Sequence, residues 1–518
     1  MRRSKSFWKY LVIPLSLVLV PIVFLYARNT DIVAFGEIVR ITSFSLFLTA
    51  LIFILFSFLF KDFKKASFSL SFIILVSFLF GHFSRLIPYF ELFKVDGFII
   101  GRNALLLICT ILLIAGVMIY VRKTNKNLST YLRWFFLLSL FLNLFNIGLI
   151  ANSLTFDKHD VNLPLRMNVH LANSKLNYVP DIYYIILDGH AREDVLREVF
   201  KYSNRGFIKD LESKGFYVSK KSRANYIYTF ASLGSSLNYD YLDELLKGKY
   251  RRGENNSKVL TEIIAGNKAA RRLKSLGYQY IIFDSGFSGT ENSPLADIKY
   301  EYAHGLNNFE FSLVSTNIFS RLLYFLKIDT NTYHRERVRF IFSQLKYIPS
   351  LDQPTFTFAH IISPHPPFVF NEDGSFPFSN LQFSLADGGM YRGTYEQYKR
   401  GYLEQLKYID KLVSQTVAEI LSNSENPPII IIQSDHGSAT EAKKKPGPKT
   451  DFLSSYVEPK NPVSLKERTS ILNAYYFPGV SHDIFYPTIT PVNSFRLLFN
   501  TYFGANFDLL EDKTFWDR

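Results

Sequence analysis

Hydrophobic positions are concentrated in the first third of the chain, where long apolar stretches alternate with short basic loops. A helix that crosses a bilayer needs roughly 20 consecutive, mostly apolar residues. Five stretches meet or approach that length, at about residues 8–27, 42–60, 67–83, 100–120 and 131–153. The pattern therefore predicts five membrane-spanning helices, of which the third is the shortest.

The basic residues around these stretches form three clusters that alternate with less basic loops. The clusters are Arg2, Arg3, Lys5 and Lys9; Lys61, Lys64 and Lys65; and Arg122, Lys123 and Lys126. Because Lys and Arg are enriched in cytoplasmic loops, all three clusters are predicted to lie in the cytoplasm. Five spans then place everything after residue 154 outside the cytoplasm.

After the last apolar stretch the composition becomes that of an ordinary globular domain. Residues 155–180 are predicted to form a polar linker. Strand and helix patterns alternate from residue 181 onward. The clearest are strands 181–187, 278–283, 355–362, 429–433 and 471–477 and helices 205–213, 268–276, 395–421 and 492–503. Such alternation predicts a mostly parallel sheet covered by helices on both faces. The predicted domains are a five-span membrane domain at 1–154, the linker, and an α/β domain at 181–518.

The net charge of +14 arises in part from the basic loops between the spans. We therefore attribute the positive charge mainly to the cytoplasmic loops between the spans and to a solvated surface. Attraction to anionic lipid is the alternative, and no nucleic-acid partner is predicted. The chain has one cysteine, Cys109, which lies in the fourth apolar stretch, so an intrachain disulfide is impossible.

Candidate metal ligands follow two of the predicted strands. Strand 181–187 leads into Asp188, and strand 429–433 leads into Asp435 and His436. Open α/β sheets hold their ligands at the carboxyl ends of the strands, so these three side chains are expected to meet. Two oxygens and one nitrogen suit zinc or manganese, and magnesium less well because of the imidazole. The sequence therefore predicts one divalent metal ion.

Thr229 is the best candidate for a fourth position at this metal. Its hydroxyl precedes a predicted helix of small residues, 230–237. Metal coordination and a helix N-terminus would both favour its alkoxide, which would make it a nucleophile. The alternative is that Thr229 is an ordinary helix N-cap.

The order of these motifs carries a family resemblance. A strand ending in Asp188, then Thr229 before a helix, then a His-Pro segment and then Ser434–Gly437 (Ser-Asp-His-Gly) resembles the alkaline phosphatase superfamily. In particular it resembles the sulfatase-like membrane branch, which includes lipoteichoic acid synthases and phosphoethanolamine transferases. Those proteins also combine five spans with an extracytoplasmic catalytic domain. The resemblance implies an α/β sandwich-type domain in which Thr229 is both nucleophile and metal ligand, together with Asp188, Asp435 and His436.

Three further residues take possible roles from the resemblance. His365 resembles the family histidine that contacts the transferred phosphate and protonates a leaving oxygen, the alternative being a turn histidine fixed between prolines. His360 is interpreted as structural, with a second metal as the alternative. Arg468 is either a clamp for an anionic substrate or half of a surface ion pair.

The chain departs from the family pattern in several respects. The first-strand acid is Asp188, whereas the transferases that it resembles have Glu there. The Cys-x-Pro-Ser-Arg signature of sulfatases is absent, and Cys109 is the single cysteine, so a formylglycine nucleophile and the disulfides of phosphoethanolamine transferases are both excluded.

These features predict a membrane-anchored, metal-dependent phosphotransferase. Its donor would be a phosphodiester such as a phospholipid headgroup, its partners would be membrane lipids or envelope glycans, and the reaction would pass through a covalent threonine intermediate. A phosphodiesterase or sulfatase-like hydrolase that uses the same site is the first alternative. A non-catalytic envelope protein with a degenerate site is the second.

Overall fold

The structure is a computed structural model of the whole chain. It describes residues 2–30, 33, 35–87, 91–95, 98–156, 177–248, 250, 256–302, 306–318, 330–377, 387–388, 391, 393–444 and 462–515. The chain forms two compact units. The first comprises Met1–Asp160 and Gly305–Ile328, and the second comprises Val161–His304 and Asp329–Arg518.

The first unit is built from five long helices and a short hairpin. The helices are α1 (Arg2–Ala27), α2 (Phe35–Phe60), α3 (Phe63–Leu86), α4 (Arg102–Lys123) and α5 (Ser129–Phe156), and the hairpin joins β1 (Glu91–Val95) to β2 (Phe98–Gly101). All five helices are long and apolar enough to cross a membrane. Among the residues that the structure describes, the five long apolar helices that the sequence predicts are therefore present.

Polar side chains connect α1 to α5 inside this unit. The hydroxyls of Ser16 and Ser139 lie 2.8 Å apart, and the Asn143 amide donates to the Ser16 carbonyl oxygen at 2.8 Å. Hydrogen bonds of this kind hold helices together where lipid offers no polar partner.

A short helix, Asn308–Ser315, also belongs to the first unit. Phe309 and Leu313 are buried in an apolar cluster with residues of α1 and α2. Glu310 is buried and forms an ion pair with Arg40. The predicted boundaries of the linker remain a prediction, because residues 157–176 lie outside the described residues.

The second unit contains a seven-stranded sheet. Its strands are β3 (Ile182–Leu187), β4 (Tyr217–Val218), β5 (Gln279–Phe283), β6 (Ile298–Tyr300), β7 (Thr355–Ile361), β8 (Ile429–Gln433) and β9 (Asn473–Tyr476). Their spatial order is β4-β9-β8-β3-β7-β5-β6. The pairs within β8-β3-β7-β5-β6 are parallel, and only β9 runs antiparallel to its neighbours β8 and β4. The predicted mostly parallel sheet is thus confirmed.

The helices of the second unit cover both faces of this sheet. They are α6 (Glu193–Val195), which continues as a π-helical turn (Leu196–Phe200), α7 (Arg205–Ser213), α8 (Thr229–Ser236), α9 (Leu242–Leu246), α10 (Ser257–Ala265), α11 (Lys268–Ser275), α12 (Thr330–Leu345), α13 (Tyr395–Asn423), α14 (Thr440–Lys444), α15 (Pro462–Thr469) and α16 (Ser494–Tyr502). Three 3₁₀ turns, Ile348–Ser350, His482–Ile484 and Pro491–Asn493, complete the set.

The central strands are apolar on both faces because both faces are covered. Along β3, Tyr184 and Ile186 belong to one apolar cluster, whereas Ile185 and Leu187 belong to another on the opposite face. The first cluster includes residues of α8, α11 and α16, and the second includes residues of α7, α12 and α13. A strand that is covered on both faces needs a continuous apolar run, whereas a half-exposed strand alternates apolar and polar residues.

The register of the central strands determines where the candidate ligands lie. In the parallel pair β3-β8, Ile186 is opposite Gln433. Continuing that register by two residues brings Asp188 opposite Asp435 at the carboxyl edge of the sheet. Two adjacent parallel strands therefore deliver two carboxylates to one place.

Replacement of Ile431 by Ala should destabilise the second unit. Ile431 is fully buried in β8, and truncating such a side chain typically costs about 2–5 kcal/mol. Thermal unfolding of the purified full chain, followed by circular dichroism, measures the change. The matched control Leu509→Ala removes a side chain that is 42% exposed and should change stability by only about 0.5 kcal/mol. Equal losses in the two variants would contradict this description of the core.

Candidate metal centre

Asp188 follows β3 at a tight turn. Gly189 has a φ of +75°, a conformation that glycine adopts without steric cost, and the His190 amide closes the turn by donating to the Leu187 carbonyl oxygen at 3.2 Å. The Gly189 amide donates to Asp435 Oδ1 at 3.2 Å. The turn after one strand therefore also orients the carboxylate that follows the neighbouring strand.

Close packing and hydrogen bonding also fix the segment Asp435-His436-Gly437. A Cβ at position 437 would lie 2.0 Å from the carbonyl oxygen of Glu467, so only glycine fits there. His436 Nδ1 lies 3.0 Å from the Gly437 carbonyl oxygen. A carbonyl can only accept, so Nδ1 carries the proton, and Nε2 is left with a lone pair directed at the site.

Thr229 is the first residue of α8, and Tyr228 occupies the N-cap position. Its Oγ1 lies 3.2 Å from His436 Nε2, and the residue is 8% exposed. The hydroxyl therefore faces the imidazole nitrogen at the beginning of a helix that is itself packed against the sheet.

Three oxygens surround the same nitrogen. His436 Nε2 lies 3.2 Å from Thr229 Oγ1, 3.3 Å from Asp435 Oδ2 and 3.5 Å from Asp188 Oδ1. Ligands of a tetrahedral zinc, bound at about 2.0–2.2 Å, lie about 3.3–3.6 Å from one another. The other three residues that the sequence suggested as ligands thus lie at metal-ligand spacing from His436 Nε2.

The electrostatics of this cluster call for a cation. Asp188 Oδ1 and Asp435 Oδ2 are buried and have no hydrogen-bond partner among the described residues. Burial, and then the nearby charge of Asp435, raise the pKa of Asp188 well above its usual range. A divalent ion would satisfy both oxygens and offset the repulsion, so the residues present fit a metal.

His360, on β7, lies beside the same cluster. Its Nε2 is 3.4 Å from Asp188 Oδ2, and its Nδ1 is 2.8 Å from Thr290 Oγ1. Burial lowers the pKa of His360 to about 4, so the ring is neutral at physiological pH. Asp188, His360 and Asp435 form a second group with metal-ligand spacing, next to the group formed by Asp188, His365 and His436. Both alternatives for His360, structural support and a second ligand set, are compatible with this position.

His365 lies in the loop after β7. Its Nδ1 donates to the Pro366 carbonyl oxygen at 2.6 Å, which leaves Nε2 directed into the site, 3.6 Å from Asp387 Oδ2. The main-chain amide of His365 donates to the Asp188 carbonyl oxygen at 2.9 Å. The predicted phosphate-contacting histidine is therefore tied to the segment that carries the first metal ligand.

Arg468, at the end of α15, is buried, so its ion pair is not at the surface. Nη1 donates to Asp387 Oδ2 at 2.5 Å, Nε donates to the Ile227 carbonyl oxygen at 2.8 Å, and Nη2 lies 3.3 Å from His436 Nε2. Burial would raise the pKa of Asp387, but the charges of His365 and Arg468 outweigh it and lower this pKa to about 2. The guanidinium is held beside the cluster as a fixed positive charge.

Asp387 is the site residue that sequence reasoning missed. Neither a predicted strand end nor a periodic sequence pattern distinguishes it from a surface acid. His190, which follows Gly189 in the sequence, is directed away from the cluster, since its Nε2 is 2.8 Å from Asp410 Oδ1.

Residues 267–468 match the sulfatase family model. This segment of the chain therefore carries a sulfatase-type domain, in agreement with the predicted superfamily. The matched segment includes His365, the Asp435-His436 pair and Arg468, whereas Asp188 and Thr229 precede it. The predicted superfamily and enzyme class are thereby confirmed, while the role of each site residue remains a prediction. No curated protein matches the sequence.

Solved structures similar to this chain include three envelope enzymes or their domains. The C-terminal periplasmic domain of EcEptC from Escherichia coli, in complex with Zn, is 10% identical, with 65% of this chain and 84% of that chain covered and a TM-score of 0.40. Phosphoethanolamine transferase EptC from Campylobacter jejuni is 13% identical, with 62% and 89% covered and a TM-score of 0.37. The soluble domain of lipooligosaccharide phosphoethanolamine transferase A from Neisseria meningitidis is 11% identical, with 64% and 89% covered and a TM-score of 0.38. At these scores the assignment rests on the family model.

Removal of metal should destabilise the wild-type chain through the two buried carboxylates. Treatment with a chelator is expected to lower the melting temperature of the purified full chain, and added zinc should restore it, because a bound ion stabilises the folded state by mass action. Asp435→Asn should abolish that response. The control Asp373→Asn changes an exposed acid and should respond like the wild type. A chelator response of the same size in Asp435→Asn would contradict the assignment of the site.

Proposed function

We propose that this protein is a membrane-anchored, metal-dependent phosphotransferase that acts on a phosphodiester through a covalent intermediate on Thr229. The observation that carries the proposal is the convergence on His436 Nε2 of two carboxylate oxygens and one hydroxyl at 3.2–3.5 Å. A hydroxyl has no reason to be buried within a cluster of metal ligands unless it serves as a ligand or as a nucleophile, and Thr229 is suited to both.

Asp188, Thr229, Asp435 and His436 would hold the metal. A set of three oxygens and one imidazole nitrogen favours zinc or manganese over magnesium. When bound, the ion would lower the pKa of the Thr229 hydroxyl and neutralise charge on the substrate. Because ligand side chains must be deprotonated, the threonine proton would be released to solvent as the site forms.

In the first step Thr229 Oγ1 attacks phosphorus, and the bond from phosphorus to the leaving alcohol oxygen breaks. The developing alkoxide takes a proton from His365, whose Nε2 faces the site because Nδ1 is bound to Pro366. The N-terminus of α8, which begins at Thr229, presents free amides and a positive dipole end to the phosphoryl oxygens.

In the second step an acceptor hydroxyl attacks the phosphothreonine, His365 Nε2 takes up its proton, and Thr229 is regenerated. Arg468 contributes a fixed positive charge 3.3 Å from His436 Nε2, where the negative charge of the transferred group would develop. Its bonds to Ile227 and Asp387 hold the guanidinium in place without reorganisation during the reaction.

A membrane lipid headgroup or an envelope glycan is the proposed substrate class. The five apolar helices would keep the α/β domain at a membrane surface, and the alternation of the basic clusters supports a position outside the cytoplasm. Formylglycine chemistry, which the match to a sulfatase model might suggest, is excluded because the single cysteine, Cys109, lies in α4.

Hydrolysis at the same site is the second candidate, since water can replace the acceptor hydroxyl in the second step. The convergence of the ligands argues against a degenerate, non-catalytic domain, because loss of chemistry would leave no selection for two unpartnered buried carboxylate oxygens.

Replacing Thr229 with Ala should abolish turnover and leave the domain folded. The expected loss in kcat is on the order of a thousandfold or more, because the covalent step needs the oxygen. Thr229→Ser should retain measurable activity. Release of nitrophenol from bis(4-nitrophenyl) phosphate measures turnover, and mass spectrometry of the quenched reaction looks for phosphate on residue 229. Thr488→Ala, which removes an exposed threonine hydroxyl bonded to Asp512, is the control.

Activity of Thr229→Ala close to that of the wild type would exclude Thr229 as the nucleophile. The attacking group would then be a water molecule and the enzyme a hydrolase, with Asp188, Asp435 and His436 as the remaining metal ligands.

The predicted topology can be tested separately from the chemistry. A reporter enzyme that is active only outside the cytoplasm, fused after residue 160, should be active, and one fused after residue 125 should be inactive. The reason is the alternation of basic clusters across five spans. The reverse pattern would place the α/β domain in the cytoplasm and exclude an envelope substrate.

A further inference from the structure

The buried face of helix α13 carries three polar side chains at positions where a core-facing helix usually has apolar ones. Tyr398, Tyr402 and Gln405 follow one another at intervals of four and three residues, which places them on one side of the helix. None of the three is more than 1% exposed. Buried polar groups are costly unless they are hydrogen-bonded, so their partners show what they do.

Tyr402 connects the helix to the turn after Asp188. Its hydroxyl donates to the Gly189 carbonyl oxygen at 2.8 Å and accepts from the Ala191 amide at 2.9 Å. The Gly189 amide in turn donates to Asp435 Oδ1. One hydroxyl thus fixes both ends of the turn that links the two carboxylates of the metal site.

Gln405 connects the same helix to the loop that carries His365. Its Nε2 donates to the His365 carbonyl oxygen at 3.0 Å, and its Oε1 accepts from the Val369 amide at 2.7 Å. Together with the bond from the His365 amide to the Asp188 carbonyl oxygen, these two bonds hold the His365 backbone in place.

Tyr398 connects the helix to Asp387 and to the segment that follows His436. Its hydroxyl donates to Asp387 Oδ1 at 2.5 Å and accepts from the Ala439 amide, three residues after His436, at 3.2 Å. Asp387 is the partner of Arg468. The carboxyl-edge segments that follow β3, β7 and β8 are therefore all bonded to a single face of a single helix.

We propose that α13 is the positioning element of this site, in which Tyr402 sets the metal-ligand geometry and Gln405 sets the position of His365. The helix is suited to this role because it is rigid. It is 29 residues long, begins with a capping box formed by Thr394 and Gln397, and packs Ile409 and Val413 into the core. The assignment of separate roles rests on the proposed function, in which metal ligands and proton donor are different residues.

The variant Tyr402→Phe removes one oxygen and keeps the ring, and it should weaken zinc binding. Loss of groups that orient metal ligands typically reduces metal affinity about 10–100-fold, and we expect about tenfold here. Zinc affinity of the purified full chain is measured by competition with a chromogenic chelator. The control is Tyr408→Phe, on the same helix, where the ring packs on Phe370; its affinity should equal that of the wild type.

The variant Gln405→Met keeps the length of the side chain but removes both bonds to the His365 loop. It should bind zinc like the wild type and lose activity in a way that depends on the leaving group. A poor leaving group needs a proton from His365, whereas 4-nitrophenolate leaves without one. The loss should therefore be at least tenfold larger with diphenyl phosphate than with bis(4-nitrophenyl) phosphate. A merely structural defect would reduce both rates by the same factor.

Hydrogen exchange provides a readout that is independent of metal and of activity. The Ala191 amide should exchange faster in Tyr402→Phe, and the Val369 amide should exchange faster in Gln405→Met, with neither changed in Tyr408→Phe. If neither amide responds, the inference is wrong. If the amides respond as expected but the wild-type chain binds no zinc, α13 does position these segments and the proposed metal chemistry is what fails. Equal zinc affinity in Tyr402→Phe and the wild type would overturn the assigned role of Tyr402.

Discussion

Two carboxylates, Asp188 and Asp435, share one buried position at the carboxyl edge of the sheet, and that position favours a bound cation. The parallel register of β3 and β8 produces the arrangement, since Asp188 directly follows β3 and Asp435, two residues after β8, falls opposite it when the register is continued. Like charges that are buried together destabilise the fold unless a positive charge compensates them. The remaining features of the site can be understood as responses to this constraint.

Hydrogen bonds fix the positions of the residues that surround the two carboxylates. His436 directs the lone pair of Nε2 at the carboxylates because Nδ1 is bound to the Gly437 carbonyl oxygen, and α8 brings the Thr229 hydroxyl to the same nitrogen. The loop after His436 is held by the buried Glu467 carboxylate, which accepts bonds from the Ser438 hydroxyl and the Thr440 and Glu441 amides. Every strand-end segment is thus fixed by side chains that do not contact the cluster themselves.

Much of this arrangement could be predicted from the sequence because the signals were local. The run of four isoleucines identified β8 at its observed bounds, and the helix from Arg205 to Ser213 was predicted without error. The Asp-His-Gly motif and the aspartate after β3 gave the ligands, since parallel strands must end at a common edge. The antiparallel direction of β9 and the place of Asn308–Ser315 in the first unit were not predicted. Both depend on packing between distant segments, which no short pattern encodes.

The polar face of α13 and the position of Asp387 were also beyond the sequence, for a related reason. A tyrosine or glutamine on an amphipathic helix has the same pattern whether it faces solvent or bonds to a buried loop. Only the fold shows that Tyr402 and Gln405 meet unpaired backbone groups beside the ligands. The sequence does not reveal Asp387, because its partner Arg468 lies 81 residues away in the chain.

The central claim is that four side chains from three segments bind one metal ion. Anomalous diffraction from crystals of the zinc-loaded protein tests it most directly. The account predicts an anomalous peak about 2.0–2.2 Å from Asp188, Thr229, Asp435 and His436. A peak that is bound by other residues, or one from which Thr229 Oγ1 is excluded, would contradict it.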